Sequence, residues 1–144
     1  MARGDGSRGA RVALVAGASG LVGQALLPLL LARDEYRQVH SLVRRESGNI
    51  HVKLREHVVD FGALGTLPQA DDIYISLGTT MKKAGSKEAF RLVDFDYVVG
   101  VAKAAHASGA TRIAVVSSVG ASPQSNVFYS RVKGEAEEAI AAID

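Results

Sequence analysis

The stretch 12–27, VALVAGASGLVGQALL, constrains the fold of this chain more than any other stretch. It opens with an apolar, valine-rich run, which favours a buried strand. It then passes Gly17, Gly20 and Gly23 and continues with leucine and alanine at helical spacing. A strand that turns through glycines into a helix is typical of a dinucleotide phosphate site. The helix N-terminus there offers unpaired N–H groups and the positive end of a dipole to the phosphates.

The three glycines are predicted to act differently. Gly17 permits a tight turn out of the strand, Gly20 lets a pyrophosphate approach the backbone, and Gly23 lets the helix pack closely on the sheet. Ser19 offers a hydroxyl donor or a helix cap. The spacing is GxxGxxG instead of the better-known GxGxxG, and the chain contains 15 glycines. A purely structural turn is therefore the alternative interpretation.

Composition narrows the classes of protein and site. The 144 residues suit one domain, and 47% hydrophobic and 22% charged residues are ordinary for a globular protein. Cysteine is absent, which excludes disulfides and thiolate metal sites. The histidines at 40, 51, 57 and 106 lack metal-ligand spacing, so we expect no metal. No apolar run approaches the roughly 20 residues of a membrane span, and a net charge of +2 does not predict nucleic-acid binding.

The residues 1–11 are rich in glycine, arginine and serine, which predicts a disordered tail. Its arginines resemble those of a transit peptide, but the tail lacks the apolar face that such a peptide needs. We therefore expect a cytoplasmic protein with one folded domain over 12–144.

Strand and helix patterns alternate along the rest of the chain. We expect loops at 62–70 and 81–86, and a first helix that ends near residue 32. This order predicts an α/β fold: a Rossmann-like, doubly wound parallel sheet of about five strands in a three-layer αβα arrangement. The predicted strands are 12–16, 39–43, 57–60, 72–77 and 113–116, and the later helices are 86–107 and 128–143.

Two arginines, Arg44 and Arg45, follow the predicted second strand directly. They stand about 20 residues after the glycine turn, where such folds meet the adenosine ribose. An acidic residue there selects NAD, whereas arginine pairs with the 2′-phosphate of NADP. We therefore expect NADP(H) in preference to NAD(H); the alternative is two solvated arginines at a strand end.

Polar side chains follow the fifth strand and open the last helix. Ser117 and Ser118 end the strand, and Tyr129 and Lys133 are four residues apart, so they share one helix face. A lysine ammonium near a tyrosine favours the phenolate, and a serine hydroxyl can hold a substrate carbonyl. This set predicts proton transfer to a carbonyl oxygen; the alternative is a half-buried tyrosine beside a solvated lysine.

These motifs together resemble a known family. The chain is similar to atypical, extended-type short-chain dehydrogenases/reductases, and more closely to the NAD(P)-binding group around the Tat-interacting protein TIP30, which is of the NAD-dependent epimerase/dehydratase type. The resemblance covers about residues 11–144. It is carried by GASGLVG (17–23), LVRR (42–45), LGTTMKKAGSKEAFRLVDFDYV (77–98), VSSVGA (116–121) and FYSRVKGE (128–135).

The resemblance implies roles for individual residues. Ser118, Tyr129 and Lys133 would be catalytic, with Ser117 as the alternate serine, and Tyr129 and Lys133 would also meet the cofactor. The resemblance also assigns residues to each part of the cofactor. Arg44 and Arg45 would meet the 2′-phosphate, Asp60 and Phe61 the adenine, and Leu77, Gly78 and Thr79 the nicotinamide half. The pyrophosphate would be held by Gly17, Ser19, Gly20, Leu21, Val22 and Gly23.

The chain departs from its relatives in two places. Asp94 occupies a position where many of them have a catalytic asparagine that supports a water relay. Family members also continue beyond the last helix into a sixth strand and a substrate-binding region, so we expect a domain truncated at its C-terminus. That truncation would leave the fifth strand an unpaired apolar edge. A homodimer through the helices near 86–107 and 128–143 is also expected.

Three functions remain open from the sequence. The first is an NADP(H)-dependent oxidoreductase or epimerase-like enzyme that acts on a small carbonyl or sugar-like substrate. The second is a non-catalytic, NADP(H)-binding regulatory or protein-interaction module. The third is a structural α/β domain whose motifs bind nothing.

Overall fold

The computed structural model describes residues 10–118 and 120–143. Most of the predicted tail, residues 1–9, lies outside the described residues. Arg11, the last residue assigned to that tail, instead belongs to the first strand.

Five strands form one parallel sheet in the order β3-β2-β1-β4-β5. The predicted Rossmann-like fold is confirmed. The strand order reverses between β1 and β4, and the crevice at the carboxyl ends of such strands is where ligands bind in open α/β sheets. The strands are β1 (Arg11–Ala16), β2 (Tyr36–Val43), β3 (Leu54–Val58), β4 (Asp72–Ile75) and β5 (Arg112–Val115).

Helices cover both faces of the sheet. The helix α1 packs on one face, where Leu27 and Leu30 join Val15 and Val39 in a buried cluster. The other face is covered by α4 and by the end of α5. The helices are α1 (Leu21–Leu31), α2 (Met81–Ala84), α3 (Lys87–Arg91), α4 (Val98–Ala107) and α5 (Phe128–Ala141), and a π-helical segment (Leu92–Tyr97) joins α3 to α4.

Several predicted boundaries were wrong. The third strand was placed at 57–60 but begins at Leu54, because this edge strand carries polar residues that hide its alternation. The second strand begins at Tyr36, three residues early, and β4 ends at Ile75, two residues early. The long helix predicted at 86–107 contains the π-helical segment.

The loop predicted at 81–86 contains the short helix α2. The Thr80 hydroxyl accepts a hydrogen bond from the Lys83 N–H (3.1 Å) and so caps the helix. Gly85 ends it with a φ of 83°, a conformation that glycine adopts without strain. Caps at both ends explain how four residues with no apolar periodicity form a helical turn.

Candidate functional site

A groove of about 310 Å³ runs along the carboxyl edge of the sheet. It joins a second cavity of about 430 Å³ through four shared lining residues: Ala18, Ser19, Val43 and Arg44. Together the two cavities form a continuous depression at the point where the strand order reverses. The first groove is lined by Gly17, Ala18, Ser19, Gly20, Leu42, Val43, Arg44, Phe61, Ser76, Leu77, Gly78, Thr79, Lys83, Val93 and Tyr97.

The glycine turn between β1 and α1 forms one wall of this groove. Gly17 has a φ of 100°, and a β-carbon there would lie 2.7 Å from the carbonyl carbon of Ser76. The Ser76 hydroxyl donates to the Gly17 carbonyl oxygen (3.0 Å), which ties the turn to the end of β4. At Gly20 a β-carbon would meet only the Gly17 carbonyl oxygen, at 3.7 Å, so the space beside Gly20 is open.

The N-terminus of α1 is exposed at the same place. Gly20 is the N-cap residue and provides no side-chain cap, so the predicted capping by Ser19 is not observed. The first two helical residues are exposed, Leu21 by 92% and Val22 by 48%. Free N–H groups at a helix N-terminus and an open glycine beside them suit a phosphate group.

Arg44 and Arg45 lie exposed beyond the end of β2. Arg44 lines both cavities, and Arg45 lines the second one together with Glu46 and Glu56. The Glu56 carboxylate accepts hydrogen bonds from Ser47, from its N–H (3.2 Å) and from its hydroxyl. Among the described residues neither arginine has an ion-pair partner, so both guanidinium groups can reach an incoming anion.

The two residues predicted to meet adenine have different environments. Phe61 is buried, lines the groove and lies 6.0 Å from Tyr97 between ring centroids. Asp60 is exposed, and its carboxylate accepts the Gly62 N–H (2.8 Å), which makes it part of a turn. The structure therefore brings Phe61 into the groove, whereas Asp60 shapes the chain beside it.

Sequence reasoning missed three polar side chains that line the groove, and one of them is Ser76 beside the glycine turn. Lys83 reaches it from α2, and Tyr97 reaches it from the end of the π-helical segment. Thr80 before the helix and Gly85 after it are residue types typical of helix caps, and this pair could have indicated α2. No sequence pattern indicates that Tyr97 faces the groove.

The predicted catalytic pair lies near the start of α5. The Lys133 ammonium is 5.5 Å from the centroid of the Tyr129 ring. Lys133 is buried, while Tyr129 is 37% exposed and packs against Phe90 at 5.3 Å between ring centroids. The Lys133 ammonium also forms an ion pair with the buried Asp94 carboxylate.

Ser117 and Ser118 follow β5 at the same edge of the sheet. Both hydroxyls are buried, and neither has a hydrogen-bond partner among the described residues. Ser117 lines a small cavity with Lys133 and Asp94. Buried hydroxyls without partners are costly, and a ligand oxygen would satisfy them. Tyr129 and Ser118 are not hydrogen-bonded to each other in this structure.

Residues 10–118 and 120–143 hold no cluster of three or more histidine or carboxylate side chains that could bind a metal. None of the helices in this part of the chain combines the length and the apolarity required to cross a bilayer.

Sequence comparison shows that the profile of the "NAD dependent epimerase/dehydratase family" matches residues 13–137. "Protein FMP52, mitochondrial" of Eremothecium gossypii is 34% identical over 135 residues, which cover 92% of this chain and 60% of that protein. "Protein HTATIP2" of Rattus norvegicus is 35% identical over 133 residues, which cover 88% of this chain and 54% of that protein. Rat HTATIP2 is a TIP30 protein, so the resemblance drawn from the motifs is confirmed.

Comparison with solved structures bears on the fold alone. The structure titled "MoeE5 in complex with UDP-glucose and NAD" superimposes with a TM-score of 0.72 at 19% identity, over 90% of this chain and 48% of that one. This likeness shows the Rossmann-like fold. Against HTATIP2 and FMP52 the chain spans between 54% and 60% of the relative's length.

The prediction of a cytoplasmic protein is contradicted. The FMP52 relatives, including those of Eremothecium gossypii and Emericella nidulans, are named mitochondrial. The strand, turn and helix motifs from which the fold was predicted carry no information on location in the cell.

Proposed function

The chain belongs to the NAD dependent epimerase/dehydratase family, and on that premise we propose that it binds NADP(H) in the groove at the carboxyl edge of its sheet. The observation that carries this proposal is the open space at Gly20 beside the uncapped N-terminus of α1. A pyrophosphate there would accept hydrogen bonds from the free N–H groups of the helix. The family description and the MoeE5 structure support a nicotinamide dinucleotide of some kind.

The preference for NADP(H) rests on Arg44 and Arg45. A guanidinium group pairs with a phosphate through two parallel hydrogen bonds to two of its oxygens. A ribose hydroxyl has a single oxygen and no charge, so it cannot form this pair. Glu56 lines the same cavity, but Ser47 donates to its carboxylate from both its N–H and its hydroxyl. The two arginines are therefore the cationic groups at this end of the groove, where they lie beside the carboxylate of Glu46.

The chain's own residues supply the acid/base chemistry in this proposal. The Tyr129 hydroxyl donates a proton to a substrate oxygen, or accepts one from it in the reverse direction. The Ser118 hydroxyl, or that of Ser117, donates a hydrogen bond to the same oxygen and so fixes the substrate. Lys133 presents its ammonium to Tyr129 and to the cofactor. The dinucleotide, when bound, supplies or accepts the hydride.

The substrate proposed is a small carbonyl compound or a sugar-like molecule. The MoeE5 complex contains a nucleotide sugar, which supports a sugar-like ligand for this chain. A homodimer through the helices near 86–107 and 128–143 remains a prediction, and size-exclusion chromatography with light scattering tests it.

Tyr129→Phe tests the enzyme proposal. Loss of the hydroxyl should lower turnover of a panel of carbonyl compounds and nucleotide sugars about 100-fold or more, because acid/base groups contribute on that scale. Turnover is followed by the absorbance of the reduced nicotinamide. NADPH affinity should stay within about threefold of wild type, which is a difference of under 1 kcal/mol in binding free energy.

Tyr74→Phe is the matched control, because it removes the same group from β4, where the Tyr74 hydroxyl lies 2.7 Å from that of Tyr36. It should leave turnover unchanged. Equal turnover of Tyr129→Phe and wild type would contradict the role of Tyr129. Tight NADPH binding without turnover of any compound in the panel would favour the non-catalytic regulatory module.

A further inference from the structure

Asp94 is a buried carboxylate that joins three elements of the site. It lies in the π-helical segment and is 1% exposed. One carboxylate oxygen pairs with the Lys133 ammonium on α5. The other accepts the N–H of Thr79 (3.0 Å), in the loop that follows β4. A single side chain therefore holds the lysine and the 77–79 loop in fixed relative positions.

The packing around this ion pair leaves little room for it to move. A β-carbon on Gly78 would lie 3.3 Å from Asp94 Oδ1 and 3.6 Å from Lys133 Nζ. The pair therefore packs directly on the backbone of the 77–79 loop. The wider turn of the π-helical segment belongs to a helix form that is rare and occurs often at functional sites.

The charges of the pair matter because both groups are buried. The Lys133 side chain is 9% exposed and that of Asp94 is 0% exposed. A buried ammonium that loses its carboxylate partner is left uncompensated, and it moves toward water or destabilises the fold. The position of Lys133 beneath Tyr129 therefore depends on the negative charge at Asp94.

We propose that Asp94 is a positioning residue, which uses its charge to hold Lys133 against the 77–79 loop so that the ammonium meets the nicotinamide half of the bound dinucleotide. This inference rests on the proposed NADP(H) function. A direct carboxylate–ammonium contact replaces the water relay that an asparagine supports in relatives. Asp94 acts through Lys133 and makes no contact with substrate.

The test separates the two halves of the cofactor. NADPH contains the nicotinamide half, whereas 2′,5′-ADP contains only the adenosine half with its 2′-phosphate. Asp94→Asn keeps an oxygen for the Thr79 N–H but removes the charge that holds Lys133. We expect NADPH to bind this variant about tenfold more weakly, a change of about 1.4 kcal/mol, while 2′,5′-ADP binds as it does to wild type.

Asp96→Asn is the matched control, since it makes the same change two residues away at an exposed position. It should alter neither affinity. A purely structural role for Asp94 would change both affinities together or neither, and either result would overturn the proposal. Wild-type protein that binds neither NADPH nor 2′,5′-ADP would instead refute the proposed function itself.

A second variant, Asp94→Glu, is measured beside Asp94→Asn, and it is compared with wild type alone if Asp94→Asn does not fold. Asp94→Glu retains the charge but shifts the carboxylate by one methylene. If charge positions Lys133, Asp94→Glu should bind NADPH more tightly than Asp94→Asn does, and any loss should again spare 2′,5′-ADP. If shape alone matters, the isosteric asparagine should be the better substitute. Equal losses for NADPH and 2′,5′-ADP in Asp94→Glu would also overturn the proposal.

Discussion

A β-carbon on Gly23 would lie 2.0 Å from the carbonyl oxygen of Gly17. That separation is far inside van der Waals contact, so the first turn of α1 approaches the end of β1 as closely as its backbone allows. Gly20 is different, because a β-carbon there would be 3.7 Å from the same oxygen. Substitution by alanine should therefore have different effects at the two glycines.

We predict that Gly20→Ala folds but binds NADPH weakly, whereas Gly23→Ala is destabilised. The added methyl at Gly20 would occupy space that the pyrophosphate needs, and a loss of about tenfold or more in affinity is expected, equivalent to about 1.4 kcal/mol. At Gly23 the methyl group forces backbone apart, which costs about 1–3 kcal/mol or more in a packed interior. Thermal melting and NADPH titration measure the two effects. Gly20→Ala with unchanged affinity would contradict the phosphate site.

Replacing Arg44 and Arg45 together by alanine should change the cofactor preference. The 2′-phosphate would lose both charged partners, so NADPH affinity should fall about tenfold to 100-fold, since one charge-assisted hydrogen bond contributes about 1.5–3 kcal/mol. NADH, which lacks that phosphate, should bind as before. Arg37→Ala is the control, because Arg37 is an exposed arginine near the start of the same strand. Equal losses for NADPH and NADH would show that the arginines do not read the 2′-phosphate.

The ionised carboxylate of Asp72 should make the protein less stable in acid. Burial alone would raise the pKa of Asp72, but hydrogen bonds from Arg11, Arg112 and Tyr36 outweigh burial and hold the pKa well below its usual range. The folded state therefore prefers the carboxylate. This stabilisation is present above the unfolded pKa of about 3.9 and is lost as the pH falls below it.

The measurement is the urea midpoint of wild type and Asp72→Asn as a function of pH. The variant should be less stable at neutral pH, because the amide provides no negative charge to the two guanidinium groups and one acceptor oxygen fewer to them and to the buried tyrosine. The difference between the two proteins should shrink as the pH falls below about 4. A difference that stays constant with pH would mean that the charge of Asp72 contributes nothing.

Two histidines on neighbouring strands should make the free energy of unfolding depend on pH in a second, separate range. His40 Nδ1 and His57 Nε2 are 2.8 Å apart across β2 and β3. Burial lowers the pKa of His40 to about 4 and also lowers that of His57. The folded state therefore keeps both rings neutral, whereas the unfolded chain takes up protons below about pH 6.5. The free energy of unfolding should decrease as the pH falls from about 6.5 toward 4.

A variant with His40→Gln and His57→Gln should lose this dependence, because glutamine does not titrate. His106→Gln, at an exposed position on α4, should behave like wild type. The free energy of unfolding from urea titrations at several pH values measures the slope. A wild-type slope that survives in the double variant would assign it to other groups.

The sequence predicted the sheet well because its central strands are apolar and its glycines stand between a strand and a helix. Prediction failed for segments whose secondary structure depends on contacts with other parts of the chain or on capping residues. Polar edge strand β3 is held by pairing with β2, from Val39 with Leu54 to Val43 with Val58. The π-helical segment has no local pattern, and the four residues of α2 depend on their caps.

The candidate site was predictable only in part. The glycine turn and the arginines after β2 are local signals, so residue spacing revealed them. Asp94 could be identified by position, but its contact with Lys133 joins segments 39 residues apart and needs the fold. Lys83 was missed because the helix that carries it was not predicted.

The most direct test of the proposed NADP(H) site is calorimetric titration of the purified protein with NADPH and, separately, with NADH. We predict that NADPH binds and that its dissociation constant is lower than that of NADH by about tenfold or more, the effect of about 1.4 kcal/mol from the two arginines. Tighter binding of NADH would refute the preference. Binding of neither dinucleotide would contradict the site itself.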